Sequence, residues 1–382
     1  MKFIHLGDLH LGKLVNEFNM IDDQRYLLNQ ILSMIEEQNI GGALLAGDIY
    51  DKSIPSEEAV DLFDYFLNEL SARQVKTFVI SGNHDSDERL NFGSRLFKNS
   101  NVFISSKYNG SLFKQPLEDE FGKLNVYLMP FIKASTVKQF YSDEKIESYD
   151  DAVRLVLNKA DVDFSQRNII VAHQFVQGKS CEIEYGGSEN IATQNVGTIE
   201  IIGADCFDGF DYVALGHIHS PQKIEKETVR YSGSLLKYSL SEVNNIKSAP
   251  IITLNEKGDT RVELIELKPV RDMRHIKGEL KQLLKAENIV SPDDYIYATL
   301  TDKDPEPEAV NTIRAYYKNL MRLEYDNYRY KEAGNIDVDA ISQSKTFDEL
   351  VCDFYKNRLG SDISDEELKI MMNVAREAGV IE

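Results

Sequence analysis

The sequence predicts an α/β protein in which helices cover a β-sheet, followed by a small second domain and a terminal pair of helices. Three observations carry this. Short apolar runs alternate with helix-period stretches through the first two-thirds of the chain, a strand–helix–strand pattern restarts near Lys268, and helix-capping signals recur near the C-terminus.

In chain order, strands are expected at Lys2–Leu6, Gly42–Ala46, Thr77–Ile80, Asn125–Met129, Asn168–Ala172 and Asp211–Leu215. Between the early ones, Leu27, Leu28, Ile31, Leu32 and Ile35 share one helical face. Phe63, Phe66, Leu67 and Leu70 share another, after a Pro55-Ser56 start that suits a helix N-terminus. Val229–Ser232 reads as a further strand, and Pro250–Leu254 with Thr260–Leu267 as a hairpin turning through Glu256-Lys257-Gly258-Asp259. Residues 1–267 form the expected first domain.

A compact β-α-β-α-β unit is expected over 268–333. Strand-like Glu263–Leu267 leads into a helix at Ile276–Leu284, then a strand at Tyr295–Thr301. A helix near Glu308–Tyr316 follows Pro305 and Pro307, and a last strand runs around Leu320–Tyr328. Polar residues 334–344 read as a linker and 345–382 as the helix pair. Thr346-Phe347-Asp348-Glu349 and Ser364-Asp365-Glu366-Glu367 each fit a capping box, in which a hydroxyl and a glutamate satisfy each other's amides. Phe347, Leu350, Val351, Phe354 and Leu359 line one face of the first helix. Two short helices beyond a linker have little core of their own, so this stripe suits a partner's surface at least as well as the chain's own body.

The 43 basic and 63 acidic residues among 382 give a net charge of −20. That argues against a generic nucleic-acid coat. It leaves room for an enzyme acting on phosphates, because bound cations invert the local sign of a site. No apolar run approaches a membrane span, and the opening MKFIHLGDLH does not read as a signal peptide. Cys181, Cys206 and Cys352 are widely spaced and read as reduced and incidental. A cytoplasmic protein is expected.

The histidines carry the chemistry. Five of the seven stand in turns after apolar strand-like runs: His10, His84, His173, His217 and His219. Asp8 and Asp48 occupy similar turns, and Asn83 precedes His84. Strand ends at one edge of an α/β sheet are where such folds build sites. Imidazoles, carboxylates and an amide without a thiolate suit Mn²⁺, Fe²⁺ or Zn²⁺. With His84 set aside, Asp8, His10, Asp48, Asn83, His173, His217 and His219 are too many for one ion and fit two that share a bridging carboxylate. Such a pair clamps the attacking and leaving oxygens in phosphoryl displacement. The rings of His217-Ile218-His219 can reach different metals, since residues two apart in an extended segment share a face. His5, on the first strand, reads as structural, and His275 as a surface residue of the small domain.

Gly7-Asp8-Leu9-His10, Gly47-Asp48, Gly82-Asn83-His84-Asp85, His173 and Gly216-His217-Ile218-His219 resemble the motifs of the calcineurin-like metallophosphoesterases. The fold implied has helices covering a β-sandwich core. The added small α+β capping domain, the terminal helix pair and Tyr231-Ser232-Gly233-Ser234 resemble, within that superfamily, the SbcD nuclease subunits. The resemblance implies two divalent ions, Mn²⁺ above all. Asp8, His10, Asp48 and His219 would hold one, and Asp48, Asn83, His173 and His217 the other, with Asp48 bridging. His84 would stay uncoordinated as general acid or transition-state stabiliser, and Asp85 would either orient His84 or, the favoured reading, cap the turn. The implied activity is a DNA exo- and endonuclease acting on ends and hairpins. The implied partner is SbcC, a coiled-coil ABC-type ATPase docked by the terminal helices, with a homodimer of this chain inside a heterotetramer.

The chain departs from its relatives at Asp51, where archaeal and eukaryotic members often carry a histidine. It also lacks the Asp-Arg-Gly of protein phosphatases, Lys52-Ser53 following Asp51, and the tyrosine ligand of purple acid phosphatases, Tyr50 being misplaced by one residue. No GxxxxGK[ST] loop occurs, so ATP dependence would come from a partner. Tyr316, Tyr317, Tyr325, Tyr328 and Tyr330 interleave with Arg314, Lys318, Arg322, Arg329 and Lys331. This suits base stacking and phosphate contact, or equally the edge of a small core. Arg271, Arg274, Lys277, Lys281 and Lys285 form a second basic stretch. A phosphoesterase for small nucleotides or phosphomonoesters would not need residues 268–382, and a non-catalytic scaffold would not need His84.

Overall fold

The computed structural model describes residues 1–179, 183–184, 201–303, 308–326, 348, 351–352, 355–356 and 363–377. The chain divides into two compact units, Met1–Asp272 and Met273–Glu382.

The principal elements of the first unit are β1 (Lys2–Leu6), α1 (Ile21–Gln38), β2 (Gly42–Ala46), α2 (Glu57–Ala72), β3 (Lys76–Ile80), β4 (Val102–Ser105), β5 (Phe113–Asp119), β6 (Gly122–Met129), α3 (Tyr149–Lys159), β7 (Arg167–His173), β8 (Tyr212–Gly216), β9 (Gln222–Ile224), β10 (Lys226–Tyr231), β11 (Ser248–Leu254) and β12 (Thr260–Glu266). They form two six-stranded sheets, ordered β12-β11-β1-β2-β3-β4 and β9-β10-β8-β7-β6-β5. Within the first, β1, β2, β3 and β4 run parallel, and β11 returns antiparallel beside β1. Within the second, β6, β7, β8 and β10 run parallel.

Alternation along the strands assigns the layers. Phe3, Leu44, Ala46, Phe78 and Ile80 of one sheet pack with Val126, Leu128, Ile169, Val171, Tyr212 and Ala214 of the other in one buried cluster. That cluster is the inside of the sandwich. The opposite face of the second sheet, with Ile170, Ala172, Val213 and Leu215, buries Val153 and Val156 of α3 in another. Helix α3 begins with a capping box in which Ser148 and Asp151 satisfy each other's amides. Helix α1 buries Leu27, Leu28, Ile31, Leu32 and Ile35, and α2 starts on Ser56, whose hydroxyl accepts from the Ala59 amide.

The expected strands are present, as the two stacked sheets of the β-sandwich that the family resemblance implies rather than the single sheet that the strand–helix alternation suggests. The hairpin also forms, with Leu254 opposite Thr260. Strands β4, β5 and β9 carry weaker patterns that sequence reading passed over. The exposed and half-buried residues of β5 alternate without a strong apolar side.

The second unit contains β13 (Met273–Gly278), α4 (Leu280–Leu283), β14 (Tyr295–Leu300), α5 (Ala309–Arg314), β15 (Leu320–Tyr325) and α6 (Asp365–Glu377). The three strands form one parallel sheet with β14 in the middle. Leu280, Ile296, Ala298, Leu300, Ile313 and Tyr317 make its core. Two expectations are corrected here. The β-α-β-α-β order holds, but its first strand is Met273–Gly278 and not Glu263–Leu267, which belongs to the hairpin of the first unit. The helix expected over Ile276–Leu284 shrinks to Leu280–Leu283. Pairing along β14 gives residues 273–278 backbone partners that outweigh a weak helical period, and the Asp302 carboxylate caps the short helix by accepting from the Leu280 amide at 2.9 Å.

At α6 the expected capping box forms. The Ser364 amide and hydroxyl both donate to the Glu367 carboxylate, at 3.0 and 2.6 Å, and the Glu367 amide returns a bond to Ser364 Oγ. The linker, the Thr346 box and most of the Phe347–Leu359 stripe lie outside the described residues. No helix among the described residues is long and apolar enough to cross a membrane. Cys206 and Cys352 are free thiols.

Candidate metal centre

Both sheets end their parallel strands at the same end of the sandwich, and the candidate ligands come from those ends. Asp8 and His10 follow β1, Asp48 follows β2, Asn83 and His84 follow β3, His173 closes β7, and His217 and His219 follow β8. The single sheet edge expected from sequence is therefore a junction between two sheets.

Approach this close requires glycine. A Cβ on Gly216 would lie 1.9 Å from the Ala46 carbonyl oxygen, and one on Gly82 would lie 2.1 Å from Asp48 Oδ1. The turns are also bent into unusual backbone. Asp8, His10, Asp48 and His217 have φ of 51, 44, 48 and 108°, each costing on the order of 1–3 kcal/mol unless its surroundings hold it. Here they do. The Asp8 and His10 amides donate to the Gly47 and Asp48 carbonyls at 3.1 and 2.9 Å, so β1 and β2 remain zipped together beyond their strand ends.

The donor atoms then form a continuous chain. His219 Nε2 lies 3.0 Å from His10 Nε2, and His10 Nε2 lies 3.6 Å from Asp48 Oδ2. Asp48 Oδ2 lies 3.4 Å from His173 Nε2, and Asn83 Oδ1 stands 3.0 Å from both His173 Nε2 and His217 Nδ1. Donor atoms of Asp8, His10 and His219 lie within 4.8 Å of one another, as do those of Asp8, Asp48 and His173. Asp48 thus sits between the two ends of the chain.

The electrostatics suit cations. Burial holds His10 well below its ordinary pKa, and burial with His173 nearby lowers His217 to about 3, which keeps both rings in the neutral form that ligates metals. Burial alone would raise Asp48, but His173 and His10 overturn it and hold the carboxylate ionised. Burial opposes a charge on His173, yet Asp48 raises it to about 9. Burial pushes Asp8 up to about 6. Two imidazole nitrogens facing each other at 3.0 Å beside buried carboxylates, with His10 Nδ1 lacking a hydrogen-bond partner, are poorly satisfied by one another. A divalent cation would satisfy all of them, so the donor set fits the group.

His84 is placed differently. Its amide donates to Asp48 Oδ1 at 2.9 Å, and its Nδ1 lies 3.1 Å from the Asp51 carbonyl oxygen. A carbonyl only accepts, so Nδ1 carries the hydrogen and Nε2 is left for other contacts. The ring stands edge-on to His10 with centroids 5.0 Å apart. His84 and His217 are half-buried and Asn83 is exposed, while Asp8, His10, His173 and His219 are buried. The open side of the site is therefore the side of Asn83, His84 and His217.

Asp85 is buried and accepts from the amides of Gly82, Ile49 and Tyr50 at 2.9, 3.1 and 2.9 Å. It caps its own turn and also ties that turn to the Asp48 loop. His5 is buried against the Tyr212 hydroxyl at 3.0 Å, and His275 is exposed and bonded to Thr299.

Sequence reasoning missed several supporting residues. Gln24 Nε2 donates to the carbonyls of Leu9 and His10. The Tyr238 hydroxyl donates to Leu9 O, and its ring meets the edges of His10 and His219. Phe131 stacks on His217 at 6.4 Å. Glu242 and Lys247 form a buried pair behind His219. None carries a local motif, since each reaches the site through long-range packing.

The basic stretch entering the second unit is largely neutralised. Arg271 pairs with Asp23, Arg274 with Asp294 and Lys277 with Asp326. Lys281 and Lys285 are exposed. Tyr317 is buried, its hydroxyl donating to Asn288 O, whereas Tyr316 is exposed. Tyr328, Arg329, Tyr330 and Lys331 lie outside the described residues.

Residues 1–221 match the calcineurin-like phosphoesterase family, and residues 269–358 match SbcD_C, the type 5 capsule protein repressor C-terminal domain. Among solved structures, a novel archaeal phosphodiesterase is 12% identical, covers 69% of this chain and 100% of its own, and superposes with a TM-score of 0.30. A dimetal phosphatase from Danio rerio is 12% identical, covers 70% and 98%, and gives 0.40. At these scores neither bears on activity. The family match implies a centre of two divalent metal ions, which the donor set fits. Because that match spans more than half of the 382 residues and is followed by the SbcD_C match, the chain belongs to the calcineurin-like phosphoesterases, as an SbcD-like member.

Proposed function

We propose that the chain is the nuclease subunit of an ATP-regulated complex that processes DNA ends and hairpins. The observation that carries this reading is the convergence of Asp8, His10, Asp48, Asn83, His173, His217 and His219 at one sandwich end, with His84 at its open side. The SbcD_C match favours DNA over a small phosphoester, which would need no second unit.

In this reading Asp8, His10, Asp48 and His219 hold one ion and Asp48, Asn83, His173 and His217 the other, with Mn²⁺ the preferred metal. When bound, the metals supply Lewis-acid stabilisation of the phosphodiester and a nucleophile at neutral pH. Asp48 would be the carboxylate shared by the two ions. Asn83, as a neutral donor, would leave the charge of the ion it helps to hold undiminished. His84, fixed by the Asp51 carbonyl, presents Nε2 at the mouth and gives a proton or hydrogen bond to the departing oxygen. Such a group is worth about 10²–10⁴-fold in rate. The terminal helices dock on SbcC, the ATPase, which gates access of DNA ends. Two copies of this chain act inside one heterotetramer, in the cytoplasm at the nucleoid.

The test is cleavage of end-labelled linear and hairpin DNA by the purified chain with Mn²⁺, alone and with SbcC and ATP. Metal-dependent cutting from 3′ ends and at hairpins, lost in His84→Ala while both metals remain bound, is expected. Hydrolysis of a small phosphodiester with no DNA cleavage, even with SbcC present, would refute the nuclease reading. Loss of metal along with activity in His84→Ala would make His84 a ligand.

A further inference from the structure

Behind His219, on the side away from the other candidate ligands, lies a buried ion pair with no place in the chemistry above. Glu242 is wholly buried and Lys247 is 5% exposed. Their charged ends meet at 2.6 Å. A buried ion pair gains little stability over apolar packing, because desolvation offsets the attraction. Its partners suggest what it does instead. Lys247 Nζ donates to Glu242 Oε2, to Ser234 Oγ at 2.9 Å and to the His219 carbonyl at 2.8 Å, so each of its three hydrogens has an acceptor. The Ser234 amide donates to the same carbonyl at 3.1 Å, so the turn carrying His219 is clamped from behind. The other Glu242 oxygen, Oε1, accepts from Ser239 Oγ at 3.2 Å and faces His219 Nδ1 at 3.7 Å.

That last distance exceeds a hydrogen bond, but the direction is informative. His219 Nε2 faces His10 Nε2 at 3.0 Å, and Nδ1 faces Glu242. The Lys247 ammonium, 2.6 Å from Oε2, pairs with Glu242 as a carboxylate. An ionised carboxylate facing the rear nitrogen of an imidazole fixes the tautomer with Nδ1–H and raises the basicity of Nε2. Such outer partners typically change metal affinity by about 10–100-fold.

We propose that Glu242 is a positioning residue for His219, with Lys247 as its counter-ion and as the anchor of the His219 main chain. Together they set the affinity of the ion shared by Asp8, His10, Asp48 and His219 without affecting the other ion. The proposal rests on His219 being a ligand, and the experiment separates the two claims. Mn²⁺ would be titrated calorimetrically into the full-length chain, into His219→Ala, Glu242→Gln and Lys247→Met, and into the double variant Glu242→Gln/Lys247→Met. Two sites in the parent and one in His219→Ala establish the ligand; two in both would remove the ligand assignment itself. Given that, Glu242→Gln should weaken one site by about 10–100-fold and leave the other unchanged. The double variant, which leaves no buried charge unpaired, should show the same weakening. A double variant that folds with the parent's thermal midpoint and binds two ions with the parent's affinities would overturn the proposal, reducing the pair to a strut. A readout on the unmodified chain covers the case in which the variants do not fold. Loaded with Zn²⁺, it should show a slowly exchanging Nδ1–H proton on His219 by NMR. A freely exchanging Nδ1 in the loaded protein would equally overturn it.

Discussion

Replacing Gly216 by alanine tests whether the meeting of the two sheets builds the site. The added methyl would lie 1.9 Å from the Ala46 carbonyl oxygen and 2.8 Å from His173 Nδ1. An ordinary C···O contact needs about 3.3 Å, so the ends of β2 and β8 must separate by roughly 1.4 Å. Neither obstacle is the far end of a flexible side chain: one is backbone, and the other is a buried ring whose Nδ1 is already bonded to that carbonyl at 2.8 Å. The displacement falls between Asp48 on one sheet and His217 and His219 on the other. A misplacement of ~1 Å among reacting groups costs on the order of 10²-fold in rate, and overpacking costs about 1–3 kcal/mol in stability. Gly216→Ala should therefore fold with a lowered urea midpoint, bind the metals more weakly and lose about two orders of magnitude in kcat/KM on a small chromogenic phosphodiester. The assay pairs that rate with metal stoichiometry after dialysis. A variant with the parent's metal content and rate would refute the claim that this approach of β8 to β2 sets the separation of the candidate ligands.

Three further outcomes are expected. Asp85→Asn keeps the shape but turns one acceptor oxygen into a donor opposite a backbone amide, so it should lose about 1–3 kcal/mol in urea unfolding; unchanged stability would mean that the three amides find other acceptors. Burial lowers His5 to about 3 from its ordinary value of 6.5, so the unfolded chain takes up that proton first and stability is lost as pH falls from 6.5 toward 3. His5→Phe should remove up to about 1.4 kcal/mol per pH unit of that acid slope in the metal-free protein, read from urea midpoints across the range, and an unaltered slope would sink the assignment. Converting the exposed Lys281 and Lys285 to glutamine should weaken DNA binding and flatten its salt dependence by about 0.9 in the log–log slope for each phosphate that is no longer neutralised; unchanged affinity and slope would take this stretch off the DNA path.

The sequence by itself determined the candidate donor residues. Each sits at a strand end, and the turn chemistry that frees a side chain there is local: Gly7-Asp8, Gly47-Asp48, Gly82-Asn83 and Gly216-His217 can be read without any partner. The same holds for the capping box at Ser364 and Glu367, which closes over three residues. What it could not determine was whatever depends on residues far apart in the chain. Residues 276–278 read alone as the start of a helix and join the strand 273–278 only when β14 supplies its hydrogen bonds. Strand–helix alternation did not by itself separate one sheet from two, because an apolar strand does not state which of its faces meets another sheet. Asp85 reads as a turn cap, yet two of its three amides come from the Asp48 loop. Glu242 and Lys247 look like surface charges until folding buries them behind His219. The separation between the ligands is likewise tertiary, set by how closely Gly216 lets β8 approach the carbonyl of Ala46. Local sequence selects which groups can ligate; long-range packing sets their distances, and it is those distances that decide whether two cations can be shared.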